Sequence, residues 1–137
     1  MTDLAEFREC VACLLIADGS VLAERRRLTK TLAPGAVAIP GGHMEAGEEP
    51  EEALRREVQE ELGVVPRDPR YVCRLLHRAE ELRRLHYFAV TEWEGTLTNH
   101  EAAALLWLPL TALERLDFDV DRTAVAEYRR VYEAASS

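Results

Sequence analysis

The segment from Pro50 to Leu62 constrains the fold more than any other, because both ends of an amphipathic helix are written into it. Pro50 suits a first helical turn, where its missing N–H costs nothing, and Glu51 and Glu52 complement the positive end of the helix dipole. Gly63 supplies the stop, and Pro66 bars continuation. At about 100° per residue, Glu57, Glu60 and Glu61 share one arc and Leu54, Val58 and Leu62 the next. Packing that apolar stripe on a sheet holds three carboxylates at the edge of the core. Carboxylates at such spacings repel by a few tenths of a kcal/mol per close pair, roughly. A divalent cation such as Mg2+, which takes oxygen ligands, would remove that penalty. Salt bridges to Arg55 and Arg56 are the competing explanation.

Around this helix the pattern alternates. Cys10 to Ala17 and Val21 to Glu24 read as a hairpin turned at Asp18-Gly19, which readily supplies positive φ. A basic loop follows, and Ala36 to Ile39 forms a short strand that stops at Pro40-Gly41-Gly42. Tyr71 to Leu76 and Leu85 to Trp93 are predicted strands separated by a charged turn from Arg78 to Arg84, and Leu105 to Leu108 is another. Thr111 is placed to cap a short helix through Leu116, and Ala124 to Ala134 carries helical spacing at Val125, Tyr128 and Val131. Strands with a central helix and a closing helix indicate a layered α/β domain, expected to span residues 1–137 as one unit.

Composition narrows the partners. A chain of 137 residues with 47% apolar content can bury a core without disulfides or structural metal. A formal charge of −8 disfavours a nucleic acid polymer as partner. No stretch is long enough to span a bilayer and none resembles a leader, so a cytoplasmic protein with no membrane partner is expected. Cys10, Cys13 and Cys73 imply no disulfide framework. Cys10 and Cys13 have a redox-like spacing, but on a strand they point to opposite faces, which suits buried structural cysteines.

The residues flanking the helix form a longer pattern: Gly42, Glu48, Arg56, Glu57, Val58, Glu60, Glu61, Gly63 and Val64. This resembles the Nudix box, filling all nine of its specified positions in about a sixth of the chain. Against this chain's own richness in Glu and Arg, chance gives odds on the order of one in a million. The resemblance implies an α/β/α sandwich with a mixed sheet, and Mg2+- or Mn2+-dependent cleavage of a phosphoanhydride bond. Glu57, Glu60 and Glu61 would then be metal ligands, with the Gly41 or Gly42 carbonyl completing a coordination site. Arg56 would orient Glu57, and Glu48 would support the loop or join the metal network.

The box leaves the general base open, because family members use either a box glutamate or one in a later loop. Glu101, six residues before Trp107 in HEAAALLWLPL, resembles the later glutamate of MutT-type members. Arg25, Arg26, Arg27 and Lys30 precede the Gly41-Gly42 loop where phosphates could pass; Arg25 and Arg26 are the candidate substrate-binding residues. The four histidines lack metal-ligand grouping, and Trp93, Trp107 and Tyr87 suit packing. Signatures of ADP-ribose, diadenosine polyphosphate and coenzyme A hydrolases are missing. The expected substrate is a small nucleotide, a (d)NTP cleaved to (d)NMP and pyrophosphate. The alternatives are a nucleoside diphosphate linked to a sugar or other group, and a nucleotide-sensing domain without turnover. A homodimer is compatible with the sequence.

Overall fold

The computed structural model describes residues 7–133. The described residues begin with two strands, β1 (Arg8–Ala17) and β2 (Ser20–Arg25), followed by the short β3 (Val37–Ala38) and β4 (Gly41–His43). Helix α1 (Pro50–Leu62) leads to β5 (Val65–Arg67), β6 (Arg70–Arg78), β7 (Leu82–Val90), β8 (Glu92–Glu94) and β9 (Ala104–Pro109). A tight turn at Leu113–Arg115 precedes α2 (Asp119–Tyr128), which widens into a π-helical end at Arg129–Glu133.

The main sheet runs β3-β2-β1-β7-β6, with β4 also on β1 and β9 on β2. β1 is parallel to β7, while its pairings with β2 and β4 are antiparallel, so the sheet is mixed as expected. Alternation along β1 divides the core. Val11, Cys13 and Leu15 pack under Leu54, Val58 and Leu62 of α1; Ala12, Leu14 and Ile16 join Ala124, Val125 and Tyr128 of α2. The helices thus cover opposite faces, forming an α/β/α sandwich. Each fully buried aliphatic side chain in these layers contributes about 1.5–3 kcal/mol.

Local signals explain most elements. Asp18 and Gly19 take φ of 51° and 74°, the paired positive values of a tight hairpin turn. Gly63 ends α1 at φ 71°, its N–H bonded to the Gln59 carbonyl. Cys10 and Cys13 lie buried and free, and burial pushes the Cys10 thiol up to about 11.

Four expectations need correction. Gly41–His43 continues as a strand on Cys10–Ala12 instead of ending the apolar run. A side chain at Gly41 would meet the Val11 carbonyl, so glycine permits this close approach. Leu85 to Trp93 breaks after Val90, and β8 pairs separately with the unpredicted β5, placing Pro66 opposite Trp93. Proline is tolerated there because a two-stranded ribbon is all edge. Thr111 caps no helix; only Leu113–Arg115 turns, because Leu116 is drawn into the core and Asp117 accepts a hydrogen bond from Val37 N–H at 2.7 Å. The closing helix begins earlier than its apolar spacing indicates, at Asp119, because Asp121 is buried and anchors that turn to the sheet. Ala134 lies outside the described residues.

Candidate active site

The apolar stripe of α1 fixes which way its acids point. With Leu54, Val58 and Leu62 buried, Glu57, Glu60 and Glu61 face a cleft of about 250 Å³ bounded across from them by β2, β4 and the 99–103 loop. Gly41 and Gly42 line it, as do Glu101, Arg26, Arg27 and Lys30. Glu24 from β2 adds a carboxylate to the opposite wall.

Arg56 organises the near wall. Its Nε and one terminal nitrogen donate to the two oxygens of Glu48 at 2.7 and 2.9 Å, and its remaining reach goes to Glu57 at 3.1 Å, Glu60 at 3.2 Å and the His43 carbonyl at 3.0 Å. The guanidinium holds the Glu48 carboxyl down to about 2. Glu48 also accepts from the Glu45 N–H at 2.8 Å, which closes the loop between β4 and α1. Arg56 therefore ties loop, strand and acids together. Gly42 lies directly against the Glu57 carboxylate, in space that any Cβ would occupy.

The far wall is equally tied. The N–H of His100 donates to the Glu61 carbonyl at 3.0 Å, and Thr98 N–H to Leu62 at 2.9 Å. Asn99 and Ala102 exchange two hydrogen bonds of 2.9 Å, shaping the turn that carries Glu101. Arg27 donates to the Glu101 carbonyl.

Electrostatics separates these carboxylates from ordinary surface acids. Burial, reinforced by Glu24, Glu57 and Glu101, pushes Glu61 up to about 9. Burial likewise raises Glu24 to about 7 and shifts Glu57 upward. A protein that gathers carboxylates where each opposes the ionisation of the next has built a place for positive charge. The donor set is oxygen only, as a hard divalent cation requires, and the glycine space beside Glu57 keeps that carboxylate at the cleft. Among the described residues, no three acidic, histidine or cysteine side chains stand already arranged around one ion. Glu60, for example, is turned toward Arg56.

Of the residues singled out from sequence, Glu57, Glu60, Glu61, Gly42, Glu101 and Arg26 come together in the cleft. Arg56 stands behind the acids. Arg25 does not join them: it follows Glu24 on β2, so alternation turns it to the other face, where it donates to the Gly35 carbonyl at 3.1 Å. Sequence reasoning missed Glu24 and His43. The two-residue period placing Glu24 on the same face as the α1-packed Leu22 is the signal that could have found the first.

The family model described as NUDIX domain matches residues 6–133. The chain belongs to the NUDIX family. It is 36% identical to CTP pyrophosphohydrolase of Escherichia coli K12 over 72% of this chain and 73% of that protein. It is 30% identical to 8-oxo-dGTP diphosphatase of the same organism over 77% of this chain and 84% of that one. The solution structure of the E. coli ORF135 protein superposes with TM-score 0.80 at 29% identity, covering 94% of this chain and 93% of that one. As a Nudix hydrolase the chain cleaves a phosphoanhydride bond, and hydrolases of this family generally use a divalent metal. Among the described residues no helix is long and apolar enough to cross a membrane.

Proposed function

We propose that this Nudix hydrolase cleaves (d)NTPs to (d)NMPs and pyrophosphate with Mg2+ or Mn2+, acting as a single domain over residues 1–137. The observation that carries this reading is the cleft itself, where carboxylates from α1, β2 and the 99–103 loop face Arg26, Arg27 and Lys30. Two curated relatives named for hydrolysis of nucleoside triphosphates support the substrate class.

Glu57, Glu60, Glu61 and the Gly42 carbonyl would hold the metal. When bound, a divalent ion in such a site neutralises phosphate oxygens and lowers the pKa of water. The chain's own residues do the rest. Arg26, Arg27 and Lys30 bind and orient the polyphosphate, since each can donate to its oxygens. Arg56 holds Glu57 and Glu60 in place. Glu101 accepts the proton from the attacking water, because its loop brings it to the cleft from the side opposite Arg56. Three free cysteines suit a reducing compartment and support action in the cytoplasm.

Incubation with Mg2+ and a nucleotide panel, with product identification, tests the reading. Pyrophosphate and a monophosphate are expected, with large losses in Glu57→Gln and Glu60→Gln. Absence of turnover for every nucleotide, or unchanged rates in both variants, overturns it. A sugar phosphate in place of pyrophosphate would redirect it to nucleoside diphosphates linked to sugars.

A further inference from the structure

One acid of the cleft comes from the sheet and lies outside the box. Glu24 follows Leu22 by one strand period, and Leu22 is fully buried in the α1 layer. Alternation therefore gives Glu24 an inward position that an aliphatic residue would fill at less cost. Its backbone is held on both flanks, opposite Ala38 of β3 and Leu105 of β9. The residue is only 9% exposed and lines the cleft. Its carboxylate nevertheless has neither a hydrogen bond nor an ion pair among the described residues. The three arginines that follow it turn elsewhere: Arg25 to the Gly35 carbonyl, Arg26 to the Leu32 carbonyl at 3.0 Å and Arg27 to the Glu101 carbonyl. A buried acceptor without a donor calls for a partner from outside the chain.

The charges around it divide unevenly. Arg56 pairs with Glu48, Glu57 and Glu60 at 2.7, 3.1 and 3.2 Å, so the near wall carries its own cation. Among the described residues Glu24, Glu61 and Glu101 have no ion pair, although Arg26 and Lys30 line the same cleft. After burial, Glu24 bears on Glu61 more than any other group, and Glu61 and Glu101 touch through a side-chain hydrogen bond. Strand, helix and loop thus each bring one uncompensated carboxylate to the same place.

We propose that Glu24 is a further metal-holding residue of this cleft, supplying a carboxylate from β2 to a divalent ion that Glu61 holds from α1. Mg2+ commonly takes one or two carboxylates and leaves its other positions to water and phosphate. A carboxylate carried on a strand that is paired on both sides cannot withdraw with the loops, so it holds its place against the sheet as the polyphosphate enters. The role rests on the metal-dependent reading above.

Calorimetric Mn2+ binding to nucleotide-free Glu24→Gln, beside the parent protein, tests it. The amide keeps the shape and removes the charge, so Mn2+ affinity should fall by at least about tenfold, the smaller loss seen when even an outer partner of a metal ligand is removed. The metal-free variant should melt no lower than the parent at about pH 8, since only an unpaired buried charge is lost. Hydrolysis by the variant should need more Mg2+ to reach half its maximal rate. Unchanged Mn2+ affinity overturns the inference whether or not kcat falls, and so does a parent protein that binds no Mn2+. A metal-free variant that melts several degrees below the parent also overturns it, because Glu24 would then be supporting the fold. If Glu24→Gln does not fold, Glu24→Asp decides: it keeps the charge but retracts it by one methylene, so Mn2+ binding should weaken, and equal binding overturns the inference. These titrations contain no nucleotide, so failure of every triphosphate as a substrate would strike the hydrolytic reading alone and leave the comparison of Mn2+ affinities standing.

Discussion

Arg56 grips both oxygens of Glu48 across eight positions of sequence while touching Glu57 and Glu60 with its remaining arm. One planar side chain thereby sets the loop and the acids in a fixed relation. Lysine cannot reproduce that fork. Arg56→Lys should lower kcat/KM and weaken Mn2+ binding by about 10–100-fold, the usual cost of losing a group that orients metal ligands. Nucleotide hydrolysis and a metal titration followed by calorimetry check both effects. Loss of activity with unchanged Mn2+ affinity would show that Arg56 does not act through the acids.

Gly42 offers an independent probe of the same carboxylate. A methyl at this position would occupy the space against Glu57, while the β1 pairing of its backbone is unaffected. Gly42→Ala should therefore displace Glu57 and reduce activity about 10–100-fold with little change in melting temperature. A variant with normal turnover would mean that Glu57 moves freely and its observed position has no bearing on the reaction.

The box helix, its caps and its acids were legible because each rests on local rules: a proline start, a glycine stop and a 3.6-residue period. The elements that escaped depend on tertiary partners. Gly41–His43 becomes a strand only because β1 offers an edge, and β5 exists only against β8. Arg25 and Glu24 show the same limit within the site. Adjacent in sequence, they serve opposite faces, and the loop-like basic run concealed that β2 extends through Arg25. Glu101 was found through family likeness, since its place in the cleft depends on hydrogen bonds from the 98–103 segment to α1 and β2.

The crowded acids make stability depend on pH in a defined direction. Glu61, Glu24 and Asp121 have folded-state values raised to about 9, 7 and 6, above the ordinary carboxylate range, burial being the largest cause for each. The native state then holds more protons than the unfolded one, so their stabilisation is full below the unfolded values and is lost as pH rises through the folded ones. Metal-free protein should melt at a higher temperature near pH 5 than near pH 8, roughly, when these groups are considered. Mg2+ should restore more stability at the upper pH, where it meets ionised carboxylates. Melting curves across that range with chelator and with Mg2+ would reveal it. A metal-free protein that gains stability as pH rises would contradict the linkage.

On the α2 side of the sheet, Tyr87 donates its hydroxyl to Asp121 Oδ1 at 2.7 Å, and Ile39 N–H donates to the other oxygen at 3.0 Å. This buried carboxylate joins the first turn of α2 to β7 and to the chain just before Pro40, the approach to the Gly41-Gly42 strand. Tyr87→Phe removes one partner and leaves the acceptor unsatisfied, at a cost of about 1–3 kcal/mol. The phenyl ring fills the same apolar volume, so packing is preserved. Urea unfolding should therefore show a lower midpoint with an unchanged slope. If the Ile39 bond alone keeps the Gly-Gly strand in place, kcat stays at its original value. A fall in kcat comparable to that of Gly42→Ala would instead mean that Asp121 needs both partners to hold β4 against β1.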